Sequence, residues 1–166
     1  MLTQERLKKL LSYSPDTGEF GRLVARGPRS KGAAAGSLSH GYIQIMLDRR
    51  VYRAHRLAWL YTHGVWPVRD IDHIDGNKAN NQIKNLREAT DSENNCNVGL
   101  KSNNTTGYKG VHFYKARNRF QAYAKINGKR IHLGYFPTAE LASEAYQTFA
   151  KANHGEFYRL STKELT

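Results

Sequence analysis

Residues Ile71–Asn95, IDHIDGNKANNQIKNLREATDSENN, decide how this chain is read. They set Asp72 beside His73, follow with a Gly76-Asn77 turn, and crowd asparagines into the remainder. DIDHID suits a short strand end, GNKANNQ a turn-rich loop, and IKNLREA an extended return. Thr90 and Glu93 form a T-x-x-E capping box, which predicts a helix starting at Asp91 with Asn94 on its first turns. The order is strand, loop, strand, helix.

That order has chemical content. An aspartate offers a hard oxygen ligand, and a histidine with an ordinary pKa of about 6.5 offers a base near neutrality. On a strand the two point to opposite faces, so Asp72 can hold a cation while His73 activates a water. Asn94 supplies a second, neutral oxygen to the same cation. Oxygen donors without cysteine favour Mg²⁺, with Mn²⁺ the alternative, over Zn²⁺. Such a site suits phosphodiester hydrolysis, with the cation stabilising the charge on phosphorus and the leaving oxygen. Asn77, Asn80, Asn81 and Asn85 can donate and accept within the loop. A lone Asp-His pair would equally fit a simple turn with His73 facing solvent.

Working outward, Lys and Arg number 26 against 14 Asp and Glu, a net +12. Residues 107–166 hold ten basic and four acidic side chains, so the excess is the same in both halves. Charge of this sign points to a polyanionic partner, nucleic acid before all others. No apolar run approaches the roughly 20 residues of a membrane span, and the start MLTQERLKKLL lacks the pattern of a signal peptide, so an intracellular protein is expected. Cys96, the single cysteine, excludes an internal disulfide and a multi-cysteine zinc site. A chain of 166 residues accommodates one sizeable core or two small ones.

Upstream, TQERLKKLLS predicts a helix capped by Thr3 with Leu7, Leu10 and Leu11 on one face. SPDTGEF is a turn, EFGRLVAR can extend, and GPRSKGAAAGS is a basic loop. YIQIML and VYRA form a hairpin around Asp48-Arg49-Arg50, and HRLAWLYTHG is helical until Gly64. His55 is expected to pack or hydrogen-bond where that hairpin meets its helix, His63 to sit at the helix C-terminus, and Arg53 and Arg56 to reach phosphates or snorkel.

Downstream, the polar GLKSNNTTG reads as a linker. Three strands follow, in YKGVHFY, RFQAYAKI and RIHLGYF, the latter two joined by an Asn127-Gly128 turn. Alternation puts Ala122, Ala124, Ile131 and Leu133 on one side, to receive a helix AELASEAYQTFAKAN through Leu141, Ala142, Ala145, Phe149 and Ala152. The other side collects Lys109, His112, Tyr114, Tyr123, Lys125, Arg130 and His132, donors and aromatics without a carboxylate.

HRLAW, DHIDGNKANNQIKNLR and TDSENN together resemble the asparagine-rich branch of HNH endonucleases, found in phage and homing enzymes, over roughly residues 40–98. The resemblance implies a ββα-metal fold, one divalent metal and DNA cleavage, with Asp72 and Asn94 as ligands, His73 as general base and Asn85 as the asparagine bracing the loop. Asn94 stands where other branches carry histidine. Residues 107–158, with YKGVHFY, LGYFPTAE and the late Ala-Tyr, resemble the APETALA-two or ethylene-response-factor DNA-binding domain, which implies a sheet read into the major groove. His112, Tyr114 and His132 replace several arginines and tryptophans of that family, so base preference does not transfer.

The expectation is an α+β chain: an HNH ββα-metal nuclease module with an N-terminal extension (1–98), a linker (99–106), and a three-stranded antiparallel sheet packed on one helix (107–166). Its function would be metal-dependent cleavage or nicking of double-stranded DNA, by a monomer or a DNA-induced dimer, with no membrane association. The rivals are a non-catalytic DNA-binding regulator and an RNA-binding accessory protein.

Overall fold

A computed structural model describes residues 1–25, 31–100, 102–126 and 128–159. Part of the expected basic loop and Asn127 of the expected turn lie outside the described residues. Over the described residues the fold is mixed α/β, with four helices and small antiparallel sheets. Two compact units divide between Ala89 and Thr90.

The first unit opens with α1 (Gln4–Leu10), whose Arg6 N–H is accepted by the Thr3 hydroxyl. The helix stops one residue before Leu11, which pairs with Arg22 as β1 (Leu11–Tyr13) meets β2 (Phe20–Arg22). β3 (Ser37–Ser39), β4 (Tyr42–Leu47) and β5 (Arg50–Arg53) form a three-stranded sheet. The β4–β5 turn is Asp48-Arg49, both in the left-handed region that a two-residue hairpin requires. α2 (Ala54–His63) follows and ends on Gly64. β6 (Asp70–His73) and β7 (Leu86–Ala89) close the unit as a ribbon, joined by the asparagine loop and a 3₁₀ turn over Ile83–Asn85.

Leu7, Leu11, Ile45, Leu57 and Leu60 are fully buried at the centre of this unit. Each contributes about 1.5–3 kcal/mol through burial. Leu57 and Leu60 present one stripe of α2, and Ile45 comes from the inward-facing positions of β4.

The β1–β2 turn has a second use: it is a shelf for the asparagine loop. Tyr13 donates its hydroxyl to the Asn81 carbonyl at 2.7 Å, and Ile83 N–H is accepted by the Pro15 carbonyl at 3.2 Å. Gly18, at φ +76°, lies so close that a Cβ there would strike the backbone of Asn81 and Gln82.

In the second unit, α3 (Asp91–Asn97) starts at a complete capping box, Thr90 accepting from Glu93 N–H and Glu93 accepting from Thr90 N–H. The expected linker, residues 99–106, follows inside this unit. β8 (Val111–Tyr114), β9 (Arg119–Ile126) and β10 (Lys129–Phe136) form an antiparallel sheet in the order β10-β9-β8. α4 (Ala139–His154), capped by Thr138, covers one face of it.

The face α4 buries differs from the expected one. Ala139, Ala142, Ser143, Tyr146 and Ala150 are buried, whereas Leu141 is 43% exposed and Ala152 is exposed. Tyr146 turns the helix because Gly110 makes room for its ring: a Cβ at Gly110 would overlap the ring edge.

Gly18→Ala should destabilise the first unit by about 1–3 kcal/mol, through a strained φ and a backbone collision. Trp59 and Trp66, the only tryptophans, both belong to this unit, so urea unfolding followed by tryptophan fluorescence reads the loss directly.

Candidate active site

Asp72 and His73 are adjacent on β6, and their partners across the ribbon show that they face opposite ways: Asp72 lies opposite Arg87, and His73 opposite Leu86. Both are buried, at 4% exposure. Arg87 donates to Asp72 Oδ2 from Nε at 3.0 Å and from Nη2 at 2.8 Å, which fixes the carboxylate's orientation.

His73 Nε2 lies 3.3 Å from Asn81 Oδ1. The Asn81 amide is itself oriented, because its Nδ2 donates to the Ala79 carbonyl at 3.0 Å. With Oδ1 thus facing the ring, Nε2 carries the proton and Nδ1 carries the lone pair. Burial lowers the His73 pKa, and Lys78 lowers it further; the Asn81 hydrogen bond and the charges of Asp75 and Asp72 oppose them without reversing the shift. The imidazole is therefore neutral at pH 7, the state a general base needs.

Asn85 ties the loop together. Its Oδ1 accepts Asp75 N–H at 3.0 Å, and its Nδ2 donates to Asp75 Oδ1 and to the Asn80 carbonyl, both at 2.9 Å. Asn80 Nδ2 donates to Asp75 Oδ2 at 2.7 Å, and Asn77 N–H donates to Oδ1 at 2.8 Å. Burial pulls the Asp75 carboxyl upward, but these hydrogen bonds and nearby His73 outweigh it and hold its pKa below the usual range.

His55, expected to pack, does so against the site. Its ring meets His73 edge-on at 5.0 Å between centroids, and Tyr42 lies 5.4 Å from it. It is 3% exposed, and its Nδ1 has no hydrogen-bond partner among the described residues. Burial first, then the charges of His73, Arg53 and Arg56, push its pKa down to about 3. His63 is the last residue of α2, against Trp59, and Arg56 reaches the Pro67 carbonyl at 3.4 Å.

The first unit thus assembles Asp72, His73 and Asn85. Asn94 is carried by α3 in the second unit, where its N–H is accepted by the Thr90 carbonyl. Sequence reasoning did not single out Arg87, visible only once the strand register is known, or Asn81 as the partner of His73.

Of the sheet-face residues, cross-strand pairing unites His112, Tyr114, Tyr123, Lys125, Arg130 and His132 on the side away from α4. Arg119, Gln121 and Tyr135 join them. Strict alternation puts Tyr135 on the other side; a bulge between His132 and Gly134 brings it round. Cations lie over the tyrosines, Arg130 at 3.8 Å from the Tyr123 centroid and Arg117 at 4.6 Å from that of Tyr135. No acidic residue occurs between Gly107 and Phe136. Lys109 precedes β8, and its ammonium donates to the Cys96 and Val98 carbonyls at 2.5 and 2.6 Å, at the end of α3.

Residues 52–96 match the HNH endonuclease family. Protein 3.8 of Escherichia phage T7 is 33% identical over 108 residues, covering 64% of this chain and 88% of that protein. An uncharacterized HNH endonuclease of Acanthamoeba polyphaga mimivirus is 38% identical over 87 residues, covering 52% of this chain and 44% of that protein. No solved structure matches. Residues 52–96 are an HNH endonuclease domain, which supports a DNA-cleaving hydrolase.

The family generally uses a divalent metal ion. Among the described residues no group of three or more His, Cys, Asp or Glu side chains could hold a metal. The donor chemistry at the ribbon, one oriented carboxylate, fits a hard cation that keeps its waters and shares phosphate oxygens with DNA. Nor is any helix among the described residues long and apolar enough to cross a membrane.

Because His55 has a lowered pKa in the folded state, the unfolded chain binds the extra proton between about pH 6.5 and about 3. Its contribution to stability is full above that window and is lost as pH falls through it. The unfolding free energy should drop with acidification more steeply in the wild type than in His55→Asn, by up to about 1.4 kcal/mol per pH unit. Equal slopes in urea titrations between pH 6 and 4.5 would refute the assignment.

Proposed function

We propose a metal-dependent DNA endonuclease of phage or homing type, in which Asp72, His73 and Asn94 serve cleavage and the β8–β10 sheet positions the DNA. The orientation of His73 carries this reading: Asn81 holds Nε2 as donor and leaves the lone pair on Nδ1. His73 takes a proton from a water whose oxygen attacks phosphorus, and the P–O bond to the leaving sugar oxygen breaks. Asp72 and Asn94 would hold one divalent ion, Mg²⁺ in preference to Mn²⁺. When bound, it supplies stabilisation of negative charge on the phosphate and the leaving oxygen. Arg87 keeps the Asp72 carboxylate aimed, and Asn85 keeps the loop that carries Asn81 in place.

The sheet face resembles that of ethylene-response-factor domains, and its cation-bearing aromatics, free of carboxylates, support a DNA-facing role. A single metal site cuts one strand at a time, so the protein nicks as a monomer or cuts both strands as a DNA-induced dimer.

Purified protein should convert supercoiled plasmid to nicked circles with Mg²⁺ and not with EDTA. His73→Ala should slow nicking by about 10²–10⁴-fold. Plasmid binding with no cleavage by the wild type would favour the non-catalytic regulator instead.

On the second unit, Arg130→Ala should weaken binding to duplex DNA by about 1–3 kcal/mol. Lys109→Ala, whose ammonium is committed to backbone carbonyls, should lower stability and leave the salt dependence of binding unchanged. A lowered salt slope for Lys109→Ala, measured by fluorescence anisotropy, would put that residue on the DNA.

A further inference from the structure

Tyr42, the first residue of β4, gathers more charge than its place in a small sheet explains. The Arg53 guanidinium lies 4.5 Å and the Lys78 ammonium 4.9 Å from its ring centroid. The Lys78 stem passes over Gly41, close enough that a Cβ there would touch its Cδ at 3.6 Å. The Tyr42 ring also neighbours His55 at 5.4 Å and His73 at 6.2 Å between centroids.

Neither cation has a carboxylate partner among the described residues, where the ion pairs are Arg6–Asp48 and Arg87–Asp72. Two like charges on one ring repel, and the ring's negative face offsets this by only about 0.5–1 kcal/mol each at exposed sites. A shared anion removes the repulsion. Arg53 is also the N-cap residue of α2; its side chain does not cap the helix, and no acidic residue occupies the first turn. The partial positive charge of that helix end adds to the same locality. Asp75, the nearest loop carboxylate, is already satisfied by Asn77, Asn80 and Asn85.

We propose that Arg53 and Lys78, ordered by the ring of Tyr42, form a clasp for a DNA backbone phosphate beside His73, with Tyr42 as the positioning residue. The clasp rests on the DNA-cleaving function of the family. It places the phosphodiester strand by charge and without reading base sequence.

The test is equilibrium binding of the full chain to a short DNA duplex in EDTA, as a function of NaCl, by fluorescence anisotropy. Arg53→Gln and Lys78→Gln are exposed-site changes, and each should lower the slope of log K against log salt by about 0.9. Tyr42→Phe should bind like the wild type. Tyr42→Leu should weaken binding at least threefold with both charges still present. Tryptophan fluorescence unfolding confirms that each variant is folded. Unchanged slopes for both charge variants overturn the clasp, whatever Tyr42→Leu does. Sodium phosphate and NaCl at matched ionic strength should displace DNA alike; selective displacement by phosphate would assign the clasp to free phosphate and overturn DNA as its occupant. Binding in EDTA is independent of cleavage, so a wild type that fails to nick plasmid while showing the slope changes keeps the clasp and sinks the nuclease reading.

Discussion

The side-chain amide of Asn85 is the constraint on which the β6–β7 ribbon and its loop depend. One residue satisfies Asp75 twice and Asn80 once, and so draws the two ends of the β6–β7 connection together. A loop this rich in turns has few ladder hydrogen bonds of its own, and each net bond contributes only about 0.5–1.5 kcal/mol. The amide alone would not suffice. The loop is also held from outside, by the Tyr13 hydroxyl and by the close approach of Gly18. Asn81 is thereby placed where its oxygen meets His73. The tautomer of His73 is inherited from a chain of loop amides.

Charge is arranged unevenly around this scaffold. The buried Asp72–Arg87 pair costs desolvation that its attraction barely offsets, so orientation of the carboxylate explains it better than stability does. Among the described residues, cations also lie over aromatic rings, at Tyr42 in the first unit and at Tyr123 and Tyr135 in the second. In each case an aromatic ring orders a long basic side chain that would otherwise keep its conformational freedom.

What could be read from the sequence was local. The Thr90–Glu93 capping box, the Asp48-Arg49 hairpin and the helix ending at Gly64 depend on residues a few positions apart, and each stands where the spacing puts it. Opposite facing of Asp72 and His73 followed from strand geometry alone. Long-range packing was not legible. Leu141 has the right spacing for burial, yet the space left by Gly110 gives the buried position to Tyr146. The β10 bulge shifts the phase of alternation, so Tyr135 changes sides. Asn81 looked like one loop amide among several, because its role depends on a ring eight residues back in sequence and near it only after folding.

The ammonium of Lys109 has a consequence for how such proteins are assembled over evolution. It seals the end of α3 from thirteen residues downstream, so the helix bearing Asn94 is finished from within its own unit by the chain that leads into β8. A recombination joint placed in the polar stretch at 99–106 would look harmless by composition. It would exchange the footing of that helix along with the β8–β10 sheet, and a grafted partner would have to supply its own cation for the same two carbonyls.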